Sequence, residues 1–321
     1  MDFLANYFGS LNPMSFLSAL PGNIAQGIIW GLMGLGVFLT FKLLNFADLS
    51  VDGSFATGGA VTAVMLINGC PVWATIIVAI LAGLAAGLVT GLLHTLLGIP
   101  DILAGILTQI ALYSINLNIM GKSNLPISYR NYTLVVSASN INMAILVGLG
   151  ICAVVIAAMY WYFGTEQGST IRSTGSNPAM SKAQGININF TKVIALALSN
   201  GLVALSGSLF AQYQGFADIN MGRGAIVIGL AAVIIGEVLG EAIFRKHMNF
   251  IIRMLFVIVG GILYYIAMGI VLWLKMPTDD TKLFTAIIVA IFLAVPYLQK
   301  KRKTSFKKVA KINAKNAQKE G

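Results

Sequence analysis

The sequence predicts an all-α polytopic membrane protein with about nine (8–10) transmembrane helices, an inverted internal repeat and discontinuous helices. Hydrophobic residues make up 57 % of the 321 residues and charged residues only 10 %, whereas soluble domains carry roughly 25 % charged residues. Apolar runs close to the roughly 20 residues that cross a bilayer core recur along the chain. This composition excludes a soluble enzyme and a disordered or disulfide-linked secreted domain.

Nine apolar runs are candidate spans, at about residues 23–41, 53–69, 72–98, 102–120, 141–163, 193–213, 224–240, 254–274 and 283–299. The first cation is Lys42, so the N-terminus lacks the basic start of a cleavable signal and we expect it to be retained. Nine of the 21 Lys and Arg residues lie between Lys300 and Lys319, which favours a cytoplasmic C-terminus.

We therefore expect a membrane domain over residues 1–300 and a basic cytoplasmic tail over 301–321. The tail fixes the orientation of the last span, or it binds anionic lipid or a partner subunit. A nucleic-acid partner is not expected, because the cations are held directly beside a span.

An internal repeat appears when the sequence is compared with itself at an offset of 170 residues. The tripeptide Phe46-Ala47-Asp48 returns as Phe216-Ala217-Asp218, after matching Gly and Leu positions. The two copies, about residues 22–120 and 192–299, cross the membrane in opposite directions in the predicted topology. Inverted repeats of this kind are typical of transporters, with the substrate path at the interface between the copies.

Turn and cap residues follow both tripeptides and interrupt the helices. Non-helical backbone at membrane depth survives only where it is buried in protein or lines water. The polar residues here, with Gln109 of the fourth span, either line the path or act as helix caps and interhelical hydrogen-bond partners. The predicted path residues are Asn45, Phe46, Asp48, Ser50, Asp52, Gln109, Phe216, Asp218 and Asn220.

The longest polar segment between spans covers about residues 164–192 and contains a predicted short helix at 177–185. Asn177 is a favourable N-cap, Pro178 suits the first helical position, and Gly185 suits a left-handed stop. Helices this short are marginal alone. We therefore expect it to pack either against the inner ends of the spans or against a partner subunit.

Three segments resemble the membrane-spanning permease subunits of ABC importers, in the family that handles branched-chain amino acids, ribose and nucleosides. They are Leu44–Gly53, Gly98-Ile99-Pro100 and Gly175–Asn187, and the resemblance covers about residues 22–300. The mixture of Asn-Phe-Ala with Asp-Leu-Ser-Val is most similar to permeases paired with a lipoprotein binding protein. Those permeases are proposed to import aromatic amino acids such as tryptophan.

The resemblance implies alternating access in the bacterial cytoplasmic membrane. Its implied partners are a second permease chain in a homodimer, two ABC ATPases that hold ATP and Mg, and an extracytoplasmic binding lipoprotein. It also implies that the short helix is the coupling helix that docks on the ATPase. The implied coupling residues are Asn177, Pro178, Ala179, Met180, Ser181, Lys182, Ala183, Gln184 and Gly185.

The chain itself offers no catalytic, ATP-binding or metal motif, so we expect a transporter subunit and not an enzyme. The Gly-Lys-Ser at 121–123 lacks the first Gly of a phosphate-binding loop. Glu237 replaces part of a Gly-Gly pair common in the family and is a candidate functional acid; alternatively it pairs with Arg245 or Lys246. An ion-coupled secondary transporter is the alternative function, and a nontransporting scaffold would leave the interrupted helices unexplained.

Overall fold

The computed structural model describes residues 13–128, 132, 134–244, 248–274, 283–291 and 294. In this part of the chain the protein is all-α apart from one pair of three-residue strands. Seven helices are long and apolar enough to cross a membrane. The predicted basic tail at 301–321 lies outside the described residues, as do Arg245 and Lys246.

Up to residue 128 the described chain contains four α-helices, a π-helical segment and a strand. The first helix passes directly into a π-helical segment, Phe38–Leu43, and with it forms an apolar unit of 31 residues. The elements are α1 (Pro13–Val37), α2 (Val51–Ile67), α3 (Val72–Thr95), α4 (Asp101–Met120) and β1 (Asn124–Pro126).

The second half begins with a long apolar helix, followed by two short helices that precede the next span. The elements are α5 (Ile141–Gly164), α6 (Glu166–Ser176), α7 (Pro178–Ala183), α8 (Ile188–Gln214), β2 (Phe216–Asp218), α9 (Ala225–Phe244) and α10 (Phe250–Trp273). Residues 283–291 are also helical.

The predicted spans agree with these helices in position. The largest difference in length is in the first, where the predicted run 23–41 is part of an apolar unit of 31 residues. The second predicted run is the 17-residue helix α2, which is shorter than the other spans. The ninth run, 283–299, lies only partly within the described residues. The count of nine spans and the inverted repeat therefore stay predictions.

Helices α1 and α8 run antiparallel through the centre of the protein. The hydroxyl of Ser199 donates to the Gly36 carbonyl at 2.8 Å, and that of Ser206 donates to the Ile29 carbonyl at 2.7 Å. From the first pair to the second, the residue number increases along α8 and decreases along α1, so the two helices run in opposite directions. The two carbonyls thereby accept buried hydroxyl donors that would otherwise lack a partner between the helices.

Small residues allow the helices to approach closely. Gly83 and Gly87 of α3 pack on the backbone of α8, and Gly27 of α1 packs on the backbone of α10. Lipid tails are as apolar as Leu, so close backbone packing stabilises helix association where hydrophobic burial cannot. The small-residue face of α3 is thus used within the chain.

The two ends of the helix bundle differ in structure. At one end β1 and β2 pair antiparallel, with Leu125 opposite Ala217; we call this the β end. The other end carries α6, α7 and the π-helical segment, and we call it the α7 end. The α1 helix begins at the β end, where the Tyr213 hydroxyl donates to the Gly22 carbonyl at 3.3 Å.

Candidate functional site

Two non-helical segments turn back into the bundle from opposite ends. Residues 44–50 enter from the α7 end, and residues 215–224 enter from the β end. The first reaches Asn200, which lies 12 residues into α8 and so about 18 Å from its start at 1.5 Å per residue. That is about half the thickness of a bilayer core of roughly 30 Å. Helix α2 therefore starts near the middle of the bundle, which explains its short length.

A hydrogen-bonded polar cluster ends the first segment. Asn200 donates through Nδ2 to Asp48 Oδ2 at 2.8 Å, and the Ser50 amide donates to Asp48 Oδ1 at 2.9 Å. Asp48 is only 2 % exposed, and Ser50 and Asn200 are fully buried. Buried charge persists only where donors surround it, so this cluster fixes the turn that starts α2.

Asp52 joins the starts of two helices. Its carboxylate accepts from the Gly224 amide at 2.9 Å and from the Ile226 amide at 2.9 Å, at the start of α9. Gly222 packs on the Asp52 carbonyl, with no room for a side chain. The starts of α2 and α9 therefore meet near the middle of the bundle, although they lie in different halves of the chain.

This arrangement corrects one interpretation of the sequence. Asp48 or Asp52 was a predicted cap of its own following span. Instead, Asp52 caps α9, and Asp48 binds the amide of Ser50, which precedes α2, together with Asn200. Sequence spacing indicates only local caps, whereas these contacts join residues 152 to 174 positions apart.

A cavity of about 300 Å³ opens where the two helix starts meet α4. This is the lower end of the roughly 300–1,000 Å³ range of ligand pockets. Its wall combines charged, amide and hydroxyl groups with apolar side chains. The lining residues are Asp52, Gly53, Ala56, Gln109, Ile110, Tyr113, Ser114, Asn116, Ile219 and Arg223. We call it the central cavity.

The predicted path residues occupy three places. Asp52 and Gln109 line the central cavity. Asp48 and Ser50 lie in the polar cluster, and Phe46 is buried with its ring 5.0 Å from that of His94.

The other four residues lie toward the two ends. Asn45 is exposed at the start of the first segment, with a left-handed φ of 56°. Phe216 and Asp218 belong to β2. Asn220 is exposed, and its amide donates to Asp218 Oδ1 at 2.7 Å. That bond has the same i to i+2 form as the bond between Ser50 and Asp48.

Two lining residues stand out for lacking partners. Asn116 is fully buried, and neither its amide nitrogen nor its carbonyl oxygen has a hydrogen-bond partner. Among the described residues, no carboxylate lies within ion-pair distance of Arg223. An unpaired buried amide costs about 1–3 kcal/mol. The wall therefore presents polar groups that the described chain leaves unsatisfied.

Sequence reasoning did not select Arg223 for the site, although a signal exists. Arg223 is the only Lys or Arg between Lys192 and Arg245. It follows the second Phe-Ala-Asp turn by five residues. Arg223 is exposed in the structure, and a single cation beside an interrupted span is a candidate functional position.

Glu237 takes part in an ion-pair network at the α7 end. Lys42 Nζ lies 2.9 Å from Glu237 Oε2, and Arg253 Nη1 lies 3.7 Å from Oε1. The network joins the π-helical segment, α9 and α10. The predicted partners Arg245 and Lys246 lie outside the described residues.

The predicted short helix is present as α7. Asn177 Oδ1 accepts from the Met180 amide at 3.1 Å, Pro178 takes the first position, and Gly185 has a left-handed φ of 84°. Every residue from 177 to 185 is exposed except Ser181. The α7 helix is therefore a knob with little cover from its own chain.

The knob is attached to the first re-entrant segment through α6. A methyl group added to Gly175 would lie 2.8 Å from the carbonyl carbons of Leu43 and Leu44. Backbone therefore touches backbone at this point. Movement of the knob has a direct mechanical route to residues 44–50.

Among the described residues, no group of three or more His, Cys, Asp or Glu could hold a metal ion. The site has the chemistry of solute binding, with amides, hydroxyls and charges around a small space.

Comparison with known proteins gives three findings. The family model described as branched-chain amino acid transport system / permease component matches residues 22–296. A tyrosine transport system permease protein of Clostridioides difficile is 42 % identical over 301 residues, covering 93 % of this chain and 99 % of that protein. The D-allose transport system permease protein of Escherichia coli is 27 % identical over 80 % of this chain and 77 % of that protein.

One solved structure resembles the fold. PsaBC from Streptococcus pneumoniae in complex with Fab aligns with a TM-score of 0.51 at 16 % identity. The alignment covers 91 % of this chain and 94 % of that chain. At this identity the likeness concerns the fold alone.

Proposed function

The chain belongs to the branched-chain amino acid transport system permease family, and from this premise we propose that it imports an aromatic amino acid. It is a multi-pass membrane permease of the ABC importer type and is not itself an enzyme. In the proposed mechanism two copies of the chain form one path, which opens alternately to either side of the bacterial cytoplasmic membrane.

The observation that carries the proposal is the physical link between the exposed knob and the central cavity. Gly175 holds α6 against Leu43 and Leu44, and these residues begin the segment that ends at Asp48. A push on α7 would thus move the start of α2, which lines the cavity. Contiguous backbone contact of this kind is one physical route by which distant sites couple.

The proposed energy source is a separate pair of ABC ATPases that hold ATP and Mg. The exposed residues of α7 offer a surface for them, and Met180 is 58 % exposed. This docking places the α7 end, Lys42 and the basic tail in the cytoplasm, as the positive-inside rule favours. The β end would then face an extracytoplasmic binding lipoprotein.

The proposed substrate follows from the relative that transports tyrosine and from the cavity. Tyrosine and tryptophan both fit this assignment, because the wall offers polar groups beside the apolar faces of Ile110, Tyr113 and Ile219. The small volume favours one amino acid over a larger solute.

An ion-coupled secondary transporter is the second candidate, and one observation favours it. The apolar runs of the sequence suggested Glu237 as essentially the one ionisable group within a span, yet Asp48 and Asp52 lie near mid-depth. Buried carboxylates at that depth are typical of ion and proton coupling.

One experiment separates the two functions. The permease is purified with its co-isolating ATPase, reconstituted in proteoliposomes and supplied with loaded binding protein. We expect ATP hydrolysis to rise with loaded binding protein and tyrosine uptake to require ATP. Uptake driven by a proton or sodium gradient, without any associated ATPase, would contradict the proposal and favour the second candidate.

A further inference from the structure

The polar groups of the central cavity do not satisfy one another. Both oxygens of Asp52 accept backbone amides at the start of α9, and among the described residues no carboxylate, Asp52 included, lies within ion-pair distance of Arg223. Asn116 is fully buried with its nitrogen and oxygen unpaired. Both a carboxylate acceptor and a group that can donate to Asn116 are missing from the described chain.

The cavity region combines charges of both signs. Arg223 supplies one positive charge and Asp52 one negative charge in the wall. Asp48 accepts the Ser50 amide at the start of α2 and supplies a second negative charge there. A metal cation, a polyamine or a neutral sugar would each leave the Arg223 guanidinium without a counter-charge.

We infer that the central cavity binds the zwitterionic α-amino acid group during transport; this inference rests on the proposed function and names the recognition chemistry of its path. Arg223 binds the carboxylate through its two parallel N–H donors. The carbonyl oxygens of Gln109 and Asn116 accept from the ammonium group, while the Asn116 nitrogen donates to the carboxylate. Ile110, Tyr113 and Ile219 contact the side chain of the substrate.

In this proposal both the binding protein and the permease contribute to substrate specificity. A site built for a charged group rejects analogues that lack it, because its own polar groups are then left unpaired. The permease therefore selects the amino acid backbone more strongly than the side chain.

The test measures binding to the purified permease–ATPase complex without binding protein. Radiolabelled L-tyrosine is the probe. The competitors are L-tryptophan, tyramine, which lacks the carboxylate, and 3-(4-hydroxyphenyl)propionate, which lacks the ammonium group. We expect L-tryptophan to displace the probe and both analogues to compete at least tenfold more weakly. Equal displacement by tyramine would overturn the role of Arg223, and displacement by D-allose would overturn the amino acid assignment.

Variants supply the second arm of the test. Arg223→Gln should weaken tyrosine binding roughly 10- to 100-fold, the value of a charged hydrogen-bonded pair. Lys122→Gln removes the same charge from an exposed residue just after α4 and should leave binding unchanged. Stimulation of ATP hydrolysis by loaded binding protein should persist in both variants, which separates this inference from the proposed function. Unchanged tyrosine binding and uptake in Arg223→Gln would overturn the inference.

The analogue competition uses the wild-type complex, so it decides the question even if Arg223→Gln fails to fold. Absence of any tyrosine binding by the folded wild-type complex would also overturn the inference. The proposed function would fail separately, if loaded binding protein did not stimulate the associated ATPase.

Discussion

The contact between Gly175 and the first re-entrant segment allows a direct test of coupling. In Gly175→Ala the new methyl carbon would overlap the carbonyl oxygen of Leu43 and would lie 2.8 Å from the carbonyl carbons of Leu43 and Leu44. Carbon atoms normally pack at about 3.5–4.0 Å, so α6 must move away by more than about 1 Å. Overpacking of this kind costs about 1–3 kcal/mol. We expect a cost within that range and a fold that persists.

The expected result is uncoupling in a protein that still folds. ATP hydrolysis stimulated by loaded binding protein and tyrosine uptake are measured in the same proteoliposomes. We expect Gly175→Ala to lower the number of tyrosine molecules transported per ATP at least fivefold. A shift of 1 Å is large enough to cost about 100-fold where alignment matters.

Gly164→Ala is the matched control. It makes the same chemical change at the end of α5, where nothing lies within 4 Å of the new methyl group. We expect its transport ratio to equal that of the wild type. If both variants transport with the wild-type ratio, the link from knob to cavity does not carry the coupling motion.

Three further changes test the packing and polar contacts of the fold. Gly87→Val should destabilise the protein by at least about 1–3 kcal/mol in thermal unfolding, because the methyl would lie 2.7 Å from a backbone carbon of α8; Gly150→Val, with open space around it, should not. Asn200→Leu leaves the buried Asp48 carboxylate without one donor and should cost about 3 kcal/mol; a loss below 1 kcal/mol would show that Asp48 does not need it. Glu237→Gln removes two partly exposed ion pairs and should change unfolding by less than about 1 kcal/mol, so a larger loss would indicate a stronger network.

The sequence allowed prediction of features that depend on local chemistry. Apolar runs identified the helices, since each must satisfy its own backbone in lipid. Asn177, Pro178 and Gly185 identified α7, because cap, first-position and stop preferences act within a few residues. The interruption after Leu44 also followed from turn residues at a helix boundary.

Features that depend on contacts between residues far apart in the sequence were not predicted. The run after Gly53 gives no sign that α2 starts near mid-depth, because hydropathy reports length and not depth. Asp52 appeared to be a local cap, yet its partner amides lie in the other half of the chain. The pairing of β1 with β2 rests on three residues in each strand, too few to give an alternating pattern.

The lining residues of the central cavity also differ in whether local sequence could predict them. Asp52 and Gln109 were selected because polar groups near interrupted spans are unusual. Arg223 directly precedes the predicted span 224–240, and nothing in the local sequence indicates that it lies in a cavity wall. Its place in the wall depends on the return of residues 215–224 into the bundle, which Gly222 permits by packing on the Asp52 backbone.

The bond between Asp52 and the start of α9 also has a consequence for biosynthesis, because its two partners are made at different times. The partner amide of Ile226 follows Asp52 by 174 residues, and chains grow at about 5–20 residues per second. Asp52 and helix α2 are therefore synthesised about 10 to 35 s before the Ile226 amide. During that interval the Asp52 carboxylate lacks both of the amides that bind it in the folded protein.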